Sequence, residues 1–234
     1  MSIETNLNQS PYYDDFAESK NFHRVLFRPG FAVQARELTQ LQTILQNQIE
    51  RFADEILVDG TIVTGSPIKT EKVEYVKLRD KDANNRVILL TDFFSGGAIA
   101  NATVTGATSG MTAQLIDAKE GSEAADPNYF SIFVQYTNSG ANNTTKTFVN
   151  NESLIIRNRS DNSFIVAANT IASGATGKGF RATVGDGILY HKGNFIRVAP
   201  QSIIVNKFNS TPSAQIGFES TEALIDSNQA PARL

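Results

Sequence analysis

The period of the apolar positions changes once along the chain. From Val33 to Ile56 the run VQARELTQLQTILQNQIERFADEI contains no Gly or Pro and is rich in residues that sit comfortably in a helix. Within it Leu38, Leu41, Leu45, Ile49, Phe52 and Ile56 are spaced 3, 4, 4, 3 and 4 apart, which predicts one stripe on a long amphipathic helix, with Ile44 widening it. The other face is Gln, Thr, Asn, Glu, Arg and Asp. Two placements satisfy such a stripe: the chain's own sheet, or the same helix of another subunit. Spacing close to a heptad seam, and a length unusual for a connector, favour the second, whereas Gln42 and Gln48 in or beside the seam weaken a coiled coil.

After Asp59-Gly60 the pattern turns to strands. TIVTGSPIKTEKVEYVKLRD and NNRVILLTDFF alternate β-branched and polar residues and are broken at Gly65-Ser66-Pro67 and at Asp82 to Asn85. Residues 99–159 read as strands and hairpins closed by Gly and Asn turns, a small β-barrel or β-sandwich insert that is marginal alone and leans on the body or on neighbours. The first β pattern returns in GILYHKGNFIRV, where Ile188 to Tyr190 against Phe195 to Val198 predicts a hairpin turning at Lys192-Gly193. Strands begin directly after Asp-Gly at both Gly60 and Gly187, an echo that suggests one split domain. The expectation is a mainly β, multi-module, elongated protein with one long N-terminal helix. Its parts are an arm and helix (1–58), a split β domain (59–98 plus 160–218), an insert (99–159) and a tail (219–234).

Ahead of the helix, Tyr12, Tyr13, Phe16, Phe22, Phe27 and Phe31 recur among charged residues with neither a helical nor a strand period. Rings so placed cannot bury one another. They wrap over their own domain or dock on a partner.

Composition then removes chemistry. Without Cys there is no disulfide scaffold, thiol nucleophile, iron–sulfur cluster or cysteine zinc site, and His23 and His191 are too few for a three-His metal centre. A net charge of −3 argues against a general nucleic-acid surface, and no segment is apolar enough to cross a bilayer or to serve as a secretory leader. Gly174 to Gly179 fails the phosphate-loop spacing and lies between strand-like flanks. Asp14, Asp15, Glu18 and His23 are competent metal ligands but read better as a solvated face or as partners for Arg24, Arg28 and Arg36. Asp80, Asp82 and Asn84 lack the Gly and distal Glu of a calcium loop. No Gly-x-Ser-x-Gly occurs, so no catalytic, cofactor or metal residue is assigned.

The runs Phe22-His23-Arg24-Val25-Leu26-Phe27-Arg28-Pro29-Gly30 and Gln34-Ala35-Arg36-Glu37-Leu38-Thr39-Gln40-Leu41-Gln42 resemble the N-terminal signature of a family of tailed-bacteriophage virion structural proteins. GILYHKGNFIRVAPQSIIVNKF, residues 187–208, carries a second match. Gly106-Ala107-Thr108-Ser109-Gly110 is similar to turns of small β modules in phage fibre and baseplate proteins. The resemblance implies a noncatalytic baseplate-wedge or fibre-anchoring adaptor of the virion, assembled in the bacterial cytoplasm. Its expected partners are other tail proteins and copies of itself, as dimer or trimer. The expected assembly interface is Tyr12, Tyr13, Phe16, Phe22, Phe27, Leu38, Leu41, Leu45, Ile49, Phe52 and Ile56. The competing readings are a receptor-binding fibre fragment that recognises host glycan and a glycan-degrading tail enzyme.

Overall fold

The computed structural model describes residues 6–82, 84–95, 98–121, 129–140 and 142–223, with backbone alone for Ser95 and Ala98. Among them is one α-helix, α1, spanning Ala35–Asp54, a little shorter than its apolar pattern. It begins where the Gln34 N–H donates to Glu37 Oε2 at 3.0 Å, satisfying a donor that the helix start would otherwise orphan.

The remaining regular structure is β apart from two short 3-10 helices, Glu18–Lys20 and Leu90–Phe93; the second stands where the alternation in NNRVILLTDFF predicts a strand, the Asp92 carboxylate closing the turn by accepting from the Leu89 N–H. The strands are β1 (Ile62–Gly65), β2 (Ile68–Leu78), β3 (Phe94–Ser95), β4 (Ala98–Ile99), β5 (Ala102–Gly106), β6 (Thr112–Lys119) and β7 (Phe130–Tyr136). They continue with β8 (Ser153–Asn158), β9 (Phe164–Asn169), β10 (Thr176–Val184), β11 (Gly187–His191), β12 (Asn194–Val198) and β13 (Gln201–Asn206). The chain divides into two compact units, one of residues 1–68, 184–201 and 215–234, the other of residues 69–183 and 202–214.

In the second unit, eight strands form one sheet in the order β13-β10-β2-β7-β6-β5-β8-β9. The boundaries expected for a separate insert at 99–159 therefore do not mark a separate module. β7 pairs with β2 from Glu74↔Val134 to Leu78↔Phe130, so four strands of the insert continue the same sheet. The sheet is not a closed barrel, although an isolated bridge between Leu78 and Thr170 returns the chain after β9 to the end of β2. Val76, Leu78, Val104, Ile132, Leu154 and Ile156 are wholly or almost wholly buried between its turns, each contributing about 2–3 kcal/mol over an exposed position. Bulges at Ile116 in β6 and Ile165 in β9 shift the register and add twist, which helps the sheet curl.

In the first unit, β1, β11 and β12 form a three-stranded antiparallel sheet. The predicted hairpin is present in register, Gly187↔Val198 through His191↔Asn194, turning at Lys192 and Gly193, both at positive φ. The Asp-Gly echo is a pairing: β1 lies against β11, with Gly65 opposite Gly187. Between β1 and β2, Ser66 sits at φ 47° fully buried, its hydroxyl without a partner among the described residues. The apolar cluster of this unit is small, Val184, Leu189 and Val198, with Ile44, Ala53 and Tyr190 also buried.

Candidate functional site

α1 is turned with its polar face toward its own unit. Along one side the arm lies on it: Gln40 Nε2 donates to Asp15 Oδ1 at 3.0 Å, the Thr43 hydroxyl donates to buried Asp14, and Arg51 pairs with Glu18 at 3.0 Å. Phe16 and Phe22 line a small recess there with Ile44 and Asn47. Along the adjacent side lies the β11–β12 hairpin. Gln46 Nε2 donates to Asn194 Oδ1 at 2.6 Å, and the Tyr190 hydroxyl donates to Asp54 Oδ1 at 2.5 Å. Gly193 approaches so closely that a Cβ there would stand 2.9 Å from Glu50 Cγ and Cδ. At ~100° per residue these inward positions centre opposite the Leu38–Ile56 stripe.

The stripe is consequently left in solvent. Leu38, Leu45 and Ile49 are half exposed, Phe52 is 70% and Ile56 63% exposed, and Leu41 is partly buried. Its placement on the chain's own sheet, one of the two sequence readings, does not occur. The arm takes the first of its two readings in part. It wraps α1 through Asp14, Asp15, Glu18 and partly buried Phe16, while Tyr12, Tyr13, Phe22, Phe27 and Phe31 remain exposed. Among the described residues the large exposed hydrophobic side chains concentrate in this unit. Only Val87, Leu89, Tyr129, Phe164 and Ile203 lie in the other.

The acidic groups of the arm meet Lys20 and Arg51 directly, and of the arginines expected only Arg36 acts on one of them, adding a weaker pull on Asp15. Asp15 is bonded by Lys20, whose ammonium holds the carboxyl below its usual range, and Glu18 meets Arg51 rather than Arg24, Arg28 or Arg36. Asp82 closes a turn by accepting from the Asn84 and Arg86 N–H groups. Gly177 and Gly179 lie within β10, not in a loop before a helix. His191 Nδ1 stands 2.7 Å from Asp59 Oδ1. Desolvation opposes the charge on Asp59, but the Lys192 N–H and His191 outweigh it and hold the carboxyl low. Burial, then the Asp54 carboxylate, pushes the Tyr190 phenol up to about 12.

A cleft of about 460 Å³ in the second unit is lined by Asp92, Phe94, Ile99, Asn101, Asn158 and Ile165 among others. Two of its polar groups are engaged: Asp92 takes a bidentate pair from Arg86, and Asn158 Oδ1 accepts from the Ser160 N–H.

One buried group escaped the sequence reading. The carboxylate of Glu152, 1% exposed, accepts from the Thr108 N–H at 2.9 Å, the Ser109 N–H at 2.5 Å and the Ser109 hydroxyl at 2.7 Å on Oε1, and from the Val149 N–H at 2.9 Å on Oε2. The Gly106 to Gly110 turn is thus moulded on a carboxylate. A Cβ at Gly106 would meet Glu152 Oε1 at 2.4 Å, so the turn needs glycine there. The donors are neutral and fixed, which makes Glu152 a fastener of the turn.

Fold and surface together define a mainly β protein that carries one helix with its apolar face outward. Residues 10–112, the arm, α1 and the strands through the first part of β6, match a family described as Domain of unknown function (DUF4815). No curated protein and no solved structure matches the chain.

Proposed function

We propose that the chain is a noncatalytic structural component of a bacteriophage tail, a baseplate-wedge or fibre-anchoring adaptor that works by protein–protein assembly in the virion. The observation that carries this reading is the inverted helix: α1 spends its polar residues on its own unit and offers Leu38, Leu45, Ile49 and Phe52 to solvent, with Ile56 in the turn after it. A contiguous apolar stripe of this kind is the mark of an interaction surface. The exposed rings of the arm extend the apolar character, and the N-terminal signature resembles that of virion structural proteins. The anchor is residues 1–58, whose partners are neighbouring tail proteins and sibling subunits.

The receptor-binding and glycan-degrading readings draw less support, because the one carboxylate among the described residues that line the cleft of the second unit, Asp92, is already held by Arg86. The test is a phage carrying Leu45→Asp together with Phe52→Asp. Both positions face outward, so the variant folds, and it is expected to be missing from purified particles. Incorporation at the level of the unaltered chain would refute the reading.

A further inference from the structure

The stripe, which runs along α1 and ends at Ile56 in the turn that follows it, recurs as a whole at a spacing of eleven residues. Leu38, Leu41 and Leu45 recur as Ile49, Phe52 and Ile56, the same 3-4 spacing displaced by eleven. Eleven residues over three turns is about 3.67 per turn, close to the natural winding of an α-helix, so the stripe runs nearly straight with a slight right-handed drift. In this frame neither Gln42 nor Gln48 lies in the seam. Both fall on its flanks, which removes the objection that a heptad register raises.

Area and charge say what covers the seam. With Leu38, Leu45 and Ile49 about half exposed and Phe52 and Ile56 more so, each chain leaves on the order of 550 Å² of this stripe in water, for side chains of about 200 Å². Two copies facing each other would bury roughly 1,000 Å², the scale at which a specific interface begins. One flank of the seam carries Glu37, Gln48 and Glu55, the other Gln42 and Ala53. In an antiparallel pair like flanks meet, and Glu37 of one copy falls beside Glu55 of the other. In a parallel pair the acidic flank meets the neutral one.

We infer that α1 joins, parallel and in register, to α1 of further copies of this chain through Leu38, Leu41, Leu45, Ile49, Phe52 and Ile56. The inference rests on the assembly reading above and names the partner of the same surface.

The chain has no cysteine, so an introduced one is the sole thiol. In the full chain, Leu38→Cys is expected to oxidise to a covalent dimer. In an antiparallel pair the two copies of residue 38 would lie ~27 Å apart, far beyond disulfide reach of ~7 Å. By sedimentation the unaltered chain is expected at two or three times its 25.5 kDa mass, and Leu45→Asp with Phe52→Asp at the single-chain mass with unchanged far-ultraviolet circular dichroism. A single-chain mass for the unaltered protein, or an oligomer whose Leu38→Cys variant does not cross-link, overturns the inference. If that happens while the double-Asp variant is still lost from particles, only self-association falls and the assembly reading stands. An oligomer that the double-Asp variant dissociates, with normal incorporation of that variant, supports self-association and removes the tail-assembly reading instead.

Discussion

Replacing Glu152 by Gln tests whether a buried carboxylate holds the Gly106 to Gly110 turn. The amide is nearly isosteric, so packing is preserved and only charge and donor pattern change. With its oxygen in the place of Oε1, Gln keeps the bonds from Thr108 and Ser109, each weakened by roughly 0.5–1 kcal/mol as charge assistance disappears. Its NH2 group then faces the Val149 N–H, donor against donor, which orphans that amide at a cost of about 1–3 kcal/mol. Removing a buried charge offsets part of the loss, because its desolvation no longer opposes folding. The net expectation is a destabilisation of about 3 kcal/mol, or ~10 °C in the melting temperature of a domain this size. Urea titration should show a lower midpoint with the slope unchanged. Ser109→Ala removes one of the four donors and should cost about 1 kcal/mol, and the double variant should fall short of the sum because the two residues share a bond. A Glu152→Gln change of less than ~0.5 kcal/mol, the size of an ordinary surface substitution, would refute the account of the turn.

Two further expectations concern the first unit. Ser66→Gly relieves a left-handed backbone and deletes a buried hydroxyl that has no partner among the described residues, so despite the added chain entropy it should stabilise by about 1 kcal/mol in thermal unfolding, whereas Ser66→Ala keeps the backbone strain and should gain less. Tyr190 has its folded-state phenol raised from 10.0 to about 12, so its contribution to stability is complete below pH 10 and fades as pH rises toward 12. Tyrosinate absorbance should show a late component to which Tyr75 and Tyr136, both raised by burial, also contribute; Tyr190→Phe should remove one residue's share of it, and an unchanged titration in that variant would contradict the Asp54 contact.

What could be read in advance was what depends on neighbours in sequence. The α1 pattern, the Lys192-Gly193 hairpin and the alternation of Ile68–Leu78 are local, and each appears where its residues put it, whereas the alternation around Leu90 closes into a 3-10 turn instead. The pairing of β2 with β7 joins segments more than fifty residues apart, so nothing in either strand announced that the residues after 99 continue the same sheet. Glu152 was invisible for the same reason: three of its four donors lie 43 or 44 residues upstream, in a turn that composition makes look merely flexible. The stripe residues were identified, but periodicity tells which face is apolar and not which face is covered. A signal for the covered face did exist in Asp14, Asp15 and Glu18, acidic groups on an arm short enough to reach Gln40, Thr43 and Arg51.

The split make-up of the first unit has a consequence for the order of events during synthesis. Asp54 waits for Tyr190, which is 136 residues behind it, and Gln46 waits for Asn194 across 148. At ~5–20 residues per second, α1 leaves the ribosome roughly 7–30 s before its hairpin cover exists. Over that interval only the arm can lie on it, while the second unit gathers its strands in between. The segment made first thus stays half covered through most of the chain's synthesis, and for the self-association inferred above neighbouring nascent chains on one message have that long to find each other's helices.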